Sequence, residues 1–227
     1  MMKNALKKIT DQIADACLRS GRTPEEVKII PVSKSFPAET ILQAYEQGIK
    51  IFAENKAQEF RDKTRVLPQD IEWHFIGALQ TNKIKYVVPK AALLHSVDSL
   101  HLAEAVSKFA QRKNVTASVL LEVNTSAEKS KIGVTPEQAE ETFLEILELN
   151  GLKLKGLMTM APFTDDERLV RNSFRQLRSL QQKLQKHTAA ENIKELSMGM
   201  SSDFVWAVEE GSTMVRIGTA IFGARGR

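Results

Sequence analysis

The sequence is short of several residue types, and each shortage closes a class of explanation. A single cysteine, Cys17, among 227 residues rules out an internal disulfide framework and a multi-cysteine metal site. No apolar run reaches the length of a membrane span. The opening residues Met1-Met2-Lys3-Asn4-Ala5-Leu6-Lys7-Lys8 have no signal-peptide hydrophobic core behind them, so a cytoplasmic protein without membrane contact is expected. Aromatic residues are scarce, with ten Phe, two Tyr and two Trp. The basic residues are spread along the chain instead of forming runs interleaved with aromatics. The net charge of +4 therefore permits an anionic ligand and gives no nucleic-acid footprint. Four histidines without clustered spacing predict no metal site. No Gly-x-Gly-x-x-Gly follows the first strand, which counts against a dinucleotide-binding open sheet.

What is present is a rhythm. Hydrophobic residues make up 42% and charged residues 26%, as in ordinary globular proteins, and the length suits one barrel-sized domain over residues 1–227. Residues 3–19 read as a helix, because Leu6, Ile9, Ile13 and Cys17 recur at spacings of three and four. Cys17 lies on that stripe and is expected to pack. Eight segments then read as strands, at 28–34, 50–55, 72–78, 92–97, 118–124, 154–160, 195–200 and 213–218. Helical patterns lie between most of them. One runs from Pro37 to Gln47 and another from Asp98 to Arg112. A third is opened by a capping Thr135 with Pro136 and Gln138 and stops near Asn150-Gly151. The longest is opened by Thr164-Asp165-Asp166-Glu167, and a short one spans Ser202 to Glu210. Strand-helix alternation argues for a parallel sheet, and eight repeats predict a single α/β TIM-type (β/α)₈ barrel with an extra N-terminal helix. A doubly wound open sheet is the alternative.

In such a barrel chemistry collects where strands stop. Those ends are Lys34; Glu54-Asn55; Gly77; Ser96 and Asp98; Asn124 and Ser126; Thr159 and Met160; Gly199 to Ser202; and Arg216, Gly218 and Thr219. Nearly all are polar or glycine. A lysine at such a mouth is either a solvated side chain or, with a lowered pKa, a Schiff-base former. Ser197-Met198-Gly199-Met200-Ser201-Ser202-Asp203 sets a glycine and two hydroxyls before a helix, which is either an anion cradle or an ordinary helix start. Asp203 is read as a cap. Val215-Arg216-Ile217-Gly218-Thr219 offers bare backbone N–H groups after the eighth strand. Arg216 interrupts an apolar strand; if it points inward it must be paired, with nearby carboxylates as candidates.

Taken together, Pro31-Val32-Ser33-Lys34, Glu54-Asn55, Trp73-His74-Phe75-Ile76-Gly77-Ala78-Leu79-Gln80-Thr81-Asn82-Lys83, His95-Ser96-Val97-Asp98, Gly156-Leu157-Met158-Thr159-Met160, Met198-Gly199-Met200-Ser201-Ser202-Asp203 and Val215-Arg216-Ile217-Gly218-Thr219 resemble the pyridoxal phosphate homeostasis proteins (the YggS/PROSC family). The likeness covers nearly the whole chain. It implies the fold of the alanine racemase N-terminal barrel and pyridoxal 5′-phosphate (PLP) as cofactor. It also implies Lys34 as the Schiff-base lysine, Arg216 facing the pyridine nitrogen, Ser201, Gly218 and Thr219 on the phosphate, and Asn55 beside the ring. His74 and Lys131 match family positions as well. The chain departs from the family pattern at Ala53, where glycine is usual before Glu-Asn, and at Ala127, where glycine often follows the serine.

A role in PLP homeostasis follows as the expectation: a monomer that buffers the cofactor or delivers it to PLP-dependent client enzymes, without strong catalysis. An arginine on the pyridine nitrogen makes PLP a poorer electron sink than an acid would. A racemase of this type also needs a second domain and an opposing tyrosine base, whereas this sequence ends at Arg227 and has only Tyr45 and Tyr86. The alternative is a weak PLP-dependent amino-acid racemase. His74 and His95 can be read as acid/base groups or as hydrogen-bonded core histidines. Lys83, Lys85, Lys129 and Lys131 can be read as a docking patch or as a solvated face.

Overall fold

A computed structural model describes residues 2–126, 128, 131–186 and 193–223. The strands are β1 Lys28–Pro31, β2 Ile51–Glu54, β3 Glu72–Phe75, β4 Ala91–Val97, β5 Ala117–Glu122, β6 Leu152–Met158, β7 Glu195–Met200 and β8 Met214–Ile217. All pair in parallel, in the order β1-β8-β7-β6-β5-β4-β3-β2. The ring closes just beyond β1, where Val32 bridges Ala53 and the Ser33 N–H donates to the Ala53 carbonyl at 2.9 Å. The expected (β/α)₈ barrel is therefore the fold. Among the described residues no helix is long and apolar enough to cross a membrane.

The helices are α1 Met2–Arg19, α2 Ala38–Glu46, α3 Ala57–Val66, α4 Ile84–Val87, α5 Leu100–Lys113, α6 Ala139–Leu147, α7 Glu167–Leu184, α8 Phe204–Glu209 and α9 Thr219–Phe222. Alternation along each strand separates two apolar layers. Outward residues such as Phe52, Phe75, Val119 and Leu157 join the helices in the main core. Inward residues, including Ile30, Ala53, Leu93, Leu120 and Met214, fill the barrel's interior. The N-terminal helix buries Ile9, Ile13, Ala16 and Cys17 against Phe204, Val208, Val215 and Ile217, and so covers β8. Burial raises the Cys17 thiol above its ordinary pKa, which keeps it protonated and fits the packing role.

Several details differ from expectation, and three bear on the site. Lys34 is not the last strand residue: β1 stops at Pro31, and a turn through Ser35, at φ 68°, separates Lys34 from α2. The helix expected from Thr135 begins at Ala139, because Thr135 to Gln138 close a turn in which the Gln138 N–H donates to the Thr135 carbonyl at 3.1 Å. Asp203 holds the N-cap position of α8, but its carboxylate turns back to accept from the Met200 N–H at 2.5 Å. The expected opening of α7 holds, with Asp166 accepting from the Arg168 N–H at 2.9 Å.

Candidate functional site

The C-terminal ends of the strands enclose a cavity of about 440 Å³, within the range that small-molecule ligands occupy. Lys34, Asn55, Ser201, Arg216, Gly218 and Thr219 all line it, together with Glu122, Gly77 and Ser202 and an apolar wall of Val32, Ile76, Met158 and Met160. The six residues expected to hold the cofactor are thus brought to one place. Lys129, one of the four lysines of the basic group, lies outside the described residues, as does Ala127. Lys131 lies beside the mouth, its Nζ donating to the Ala161 carbonyl at 2.7 Å and paired with Glu128 at 3.1 Å.

Lys34 is set by its neighbours. The Ser33 hydroxyl donates to Glu54 at 2.7 Å, and Lys63 Nζ donates to the Ser33 carbonyl at 3.1 Å. On the other side the Ser35 N–H donates to Glu59 at 2.9 Å, which stabilises a left-handed conformation that a non-glycine residue rarely takes. Phe36 then packs on Phe222 of α9, ring centroids 5.1 Å apart, so the turn carrying Lys34 is joined to the segment that carries Thr219.

Gly77 and Gly218 open the cavity's walls. A Cβ on Gly77 would stand 1.9 Å from the Asn55 carbonyl oxygen, so only glycine lets the ends of β2 and β3 pass this closely. Gly218 precedes α9, whose first N–H groups have no helical acceptor. Asn55 Oδ1 is buried and has no hydrogen-bond partner among the described residues.

Arg216 points inward and is 4% exposed. Its direct partners differ from the expected carboxylates. Nη1 donates to the Ser197 carbonyl at 2.8 Å and the Ser197 hydroxyl at 2.7 Å, and Nη2 donates to the Thr159 carbonyl at 2.9 Å. Glu122 and Asp203 act on it only through space. Burial brings Arg216 down to about 10, which leaves it charged at neutral pH. Burial also pushes the Glu122 carboxyl up to about 7, against the attraction of Arg216. The cavity thus holds an amine, a fixed cation, the hydroxyl residues Ser201, Ser202 and Thr219, and an acid poised near neutrality. Glu122 was not singled out in the sequence, although its charge ends the apolar run Val119-Leu120-Leu121. Among the described residues no group of three or more His, Cys, Asp or Glu is gathered around a possible metal position.

His74 and His95 lie outside this lining. Both are buried in the interior, His74 Nδ1 against His95 Nε2 at 2.8 Å, the hydrogen-bonded core arrangement weighed above. Tyr45 hydrogen-bonds Asp70 at 2.6 Å, and Tyr86 lies among Arg61, Lys83 and Lys85. Neither tyrosine lines the cavity.

The family described as alanine racemase, N-terminal domain, matches residues 6–226. The pyridoxal phosphate homeostasis protein of Aquifex aeolicus is 45% identical over 221 residues, covering 97% of this chain and 96% of that protein. The solved structure of PipY from Synechococcus elongatus with PLP bound is 35% identical, with a TM-score of 0.80 over 95% of this chain and 100% of that chain. An alanine racemase from Clostridium difficile is 16% identical with a TM-score of 0.76, covering 96% of this chain and 56% of that one; it shares the fold. The chain belongs to the alanine racemase N-terminal domain family. Within it, the chain is one of the pyridoxal phosphate homeostasis proteins.

Proposed function

We propose that this protein binds pyridoxal 5′-phosphate in the cavity at the C-terminal mouth of the barrel, and that it buffers or delivers the cofactor instead of turning over a substrate. The observation that carries this reading is the convergence of Lys34, Arg216 and the Ser201/Thr219 wall on one cavity. A relative with PLP bound and relatives named for PLP homeostasis support it. The donor set fits the ligand. Ser201, Thr219 and the backbone at Gly218 suit a phosphate, and Arg216 suits a ring nitrogen. Asn55 Oδ1, buried without a partner among the described residues, suits a hydroxyl at the ring's edge.

Bound there, PLP supplies an electrophilic carbonyl and an electron-withdrawing ring. Lys34 Nζ, in the cavity lining, is the amine that would hold that carbonyl. Arg216 would face the ring nitrogen as a donor that stays charged at neutral pH, which would leave that nitrogen unprotonated and the electron withdrawal weak. The positions of Tyr45 and Tyr86, away from the cavity, leave neither as an opposing base for racemisation, which favours storage or delivery over catalysis. The same proposal covers the whole chain as one PLP-binding domain, acting as a cytosolic monomer on PLP-dependent client enzymes.

Spectral titration with PLP, wild type against Lys34→Ala, tests the binding. Mixing the loaded protein with a cofactor-free PLP enzyme, and separately with alanine enantiomers, tests the role. Transfer to the enzyme with negligible racemisation is expected; steady racemisation would favour the catalytic reading.

A further inference from the structure

Arg216 is the near end of a polar column that crosses the otherwise apolar barrel interior. Its Nη1 donates to Ser197 Oγ at 2.7 Å. Ser197 Oγ lies 2.8 Å from His95 Nδ1, His95 Nε2 lies 2.8 Å from His74 Nδ1, and His74 Nε2 lies 2.9 Å from Glu72 Oε1. The three middle residues are at most 1% exposed. Glu72 opens β3 at the opposite mouth, 42% exposed and 3.4 Å from Lys28.

Both ends of this column allow only one hydrogen-bonding role. A guanidinium can only donate, so Ser197 Oγ accepts and its single hydrogen is left for His95 Nδ1. A carboxylate can only accept, and the His74 contact draws Glu72 down to about 2, so His74 Nε2 carries a hydrogen. With the Ser197 hydrogen directed at His95 Nδ1, a His95 with one hydrogen carries it on Nε2 and donates to His74 Nδ1, which accepts. Burial above all holds His95 well below its ordinary value, hence neutral. Every donor therefore points the same way, from the cavity to the far mouth.

We propose that Glu72, His74 and His95 are positioning residues for the cavity: Glu72 fixes the tautomers of the two histidines, and they turn the Ser197 hydroxyl so that its oxygen faces Arg216 and holds the guanidinium in place. The effect on the cofactor rests on the PLP reading above; the tautomers do not. Without an acceptor at position 72 the column is free to reverse. His74 and His95 then carry their hydrogens on Nδ1, and Ser197 Oγ receives His95 and Arg216 together, with its own hydrogen displaced.

The test is the ¹⁵N NMR pattern of the histidine side chains in cofactor-free protein, with PLP affinity read in parallel. In the wild type both His74 and His95 are expected as neutral Nε2–H tautomers. Glu72→Leu, a change at a half-exposed residue, is expected to shift both towards Nδ1–H and to weaken PLP binding about tenfold. Glu72→Gln, whose amide oxygen still accepts, restores the wild-type tautomers and affinity. A charged or Nδ1–H imidazole at either position in the wild type overturns the proposal. So does a Glu72→Leu protein with unchanged tautomers, or one with switched tautomers and unchanged affinity. If the wild type bound no PLP, the cofactor reading would fail and the coupling to affinity with it, whereas the spectra would still decide the direction of the column.

Discussion

Lys63 Nζ and Glu54 Oε1 meet at 2.6 Å behind the turn that carries Lys34, with Glu54 fully buried. The same lysine holds the Ser33 carbonyl, and Glu59, one turn earlier on α3, holds the Ser35 N–H. The two residues flanking Lys34 are therefore both tied to α3 by charged groups. Burial still raises the Glu54 carboxyl above its ordinary value despite Lys63, so desolvation outweighs the pairing.

Breaking that pair from one side should be costly. Lys63→Met leaves a buried carboxylate without its counter-charge and is expected to lose about 3–5 kcal/mol in urea unfolding. The double variant Glu54→Gln/Lys63→Met should recover much of that loss. Strictly additive losses would mean that the pair is not coupled.

Glu122 gives a pH signature. Its folded pKa is raised from 4.5 to about 7, so the folded state binds the proton more tightly than the unfolded one. The associated stability is fully present below pH 4.5 and is lost as pH rises through about 7. At roughly 1.4 kcal/mol per tenfold change in proton affinity, this amounts to about 3 kcal/mol. Glu122→Gln should match the wild type near pH 4 and exceed it by up to that amount near pH 8. Parallel stability curves across this range would contradict the assignment.

Gly199 holds the approach to Ser201. Its φ is 93°, and a Cβ there would stand 2.5 Å from Ala207 Cβ in α8. Gly199→Ala is expected to cost about 1–3 kcal/mol in thermal or urea unfolding and to weaken PLP binding, because α8 and the Ser201–Ser202 turn must move apart. Adding Ala207→Gly should return only part of the loss, since the contact is relieved and the φ is not.

Arg216 tests the planar fork. An ammonium at this position cannot reach the Ser197 carbonyl, the Ser197 hydroxyl and the Thr159 carbonyl with the same geometry. Arg216→Lys should therefore lower PLP affinity about tenfold while keeping the charge. An unchanged dissociation constant would remove Arg216 from the binding account.

The barrel and the cavity lining were legible because they rest on local signals. Strand-helix alternation reports a parallel barrel, and polar or glycine residues at strand ends report its mouth. Helix α3 was not among the named helices because its buried face is Ala57, Phe60, Lys63 and Thr64, half of it polar, so no apolar stripe marks it. Arg216 was readable as needing partners, yet two of its three are backbone carbonyls, which leave no trace in residue identity. For His74 and His95 the sequence leaves acid/base and core roles both open, because their contact depends on register: His74 aligns with Leu93, which sets His95 two residues further along β4. Only the closed sheet then brings His95 to Ser197.

The most direct test of the account is to load the protein with PLP, reduce it with borohydride and map the modified peptide by mass spectrometry. The account predicts a single adduct on Lys34, absent from Lys34→Ala. An adduct on another lysine, or labelling that persists in Lys34→Ala, would contradict it.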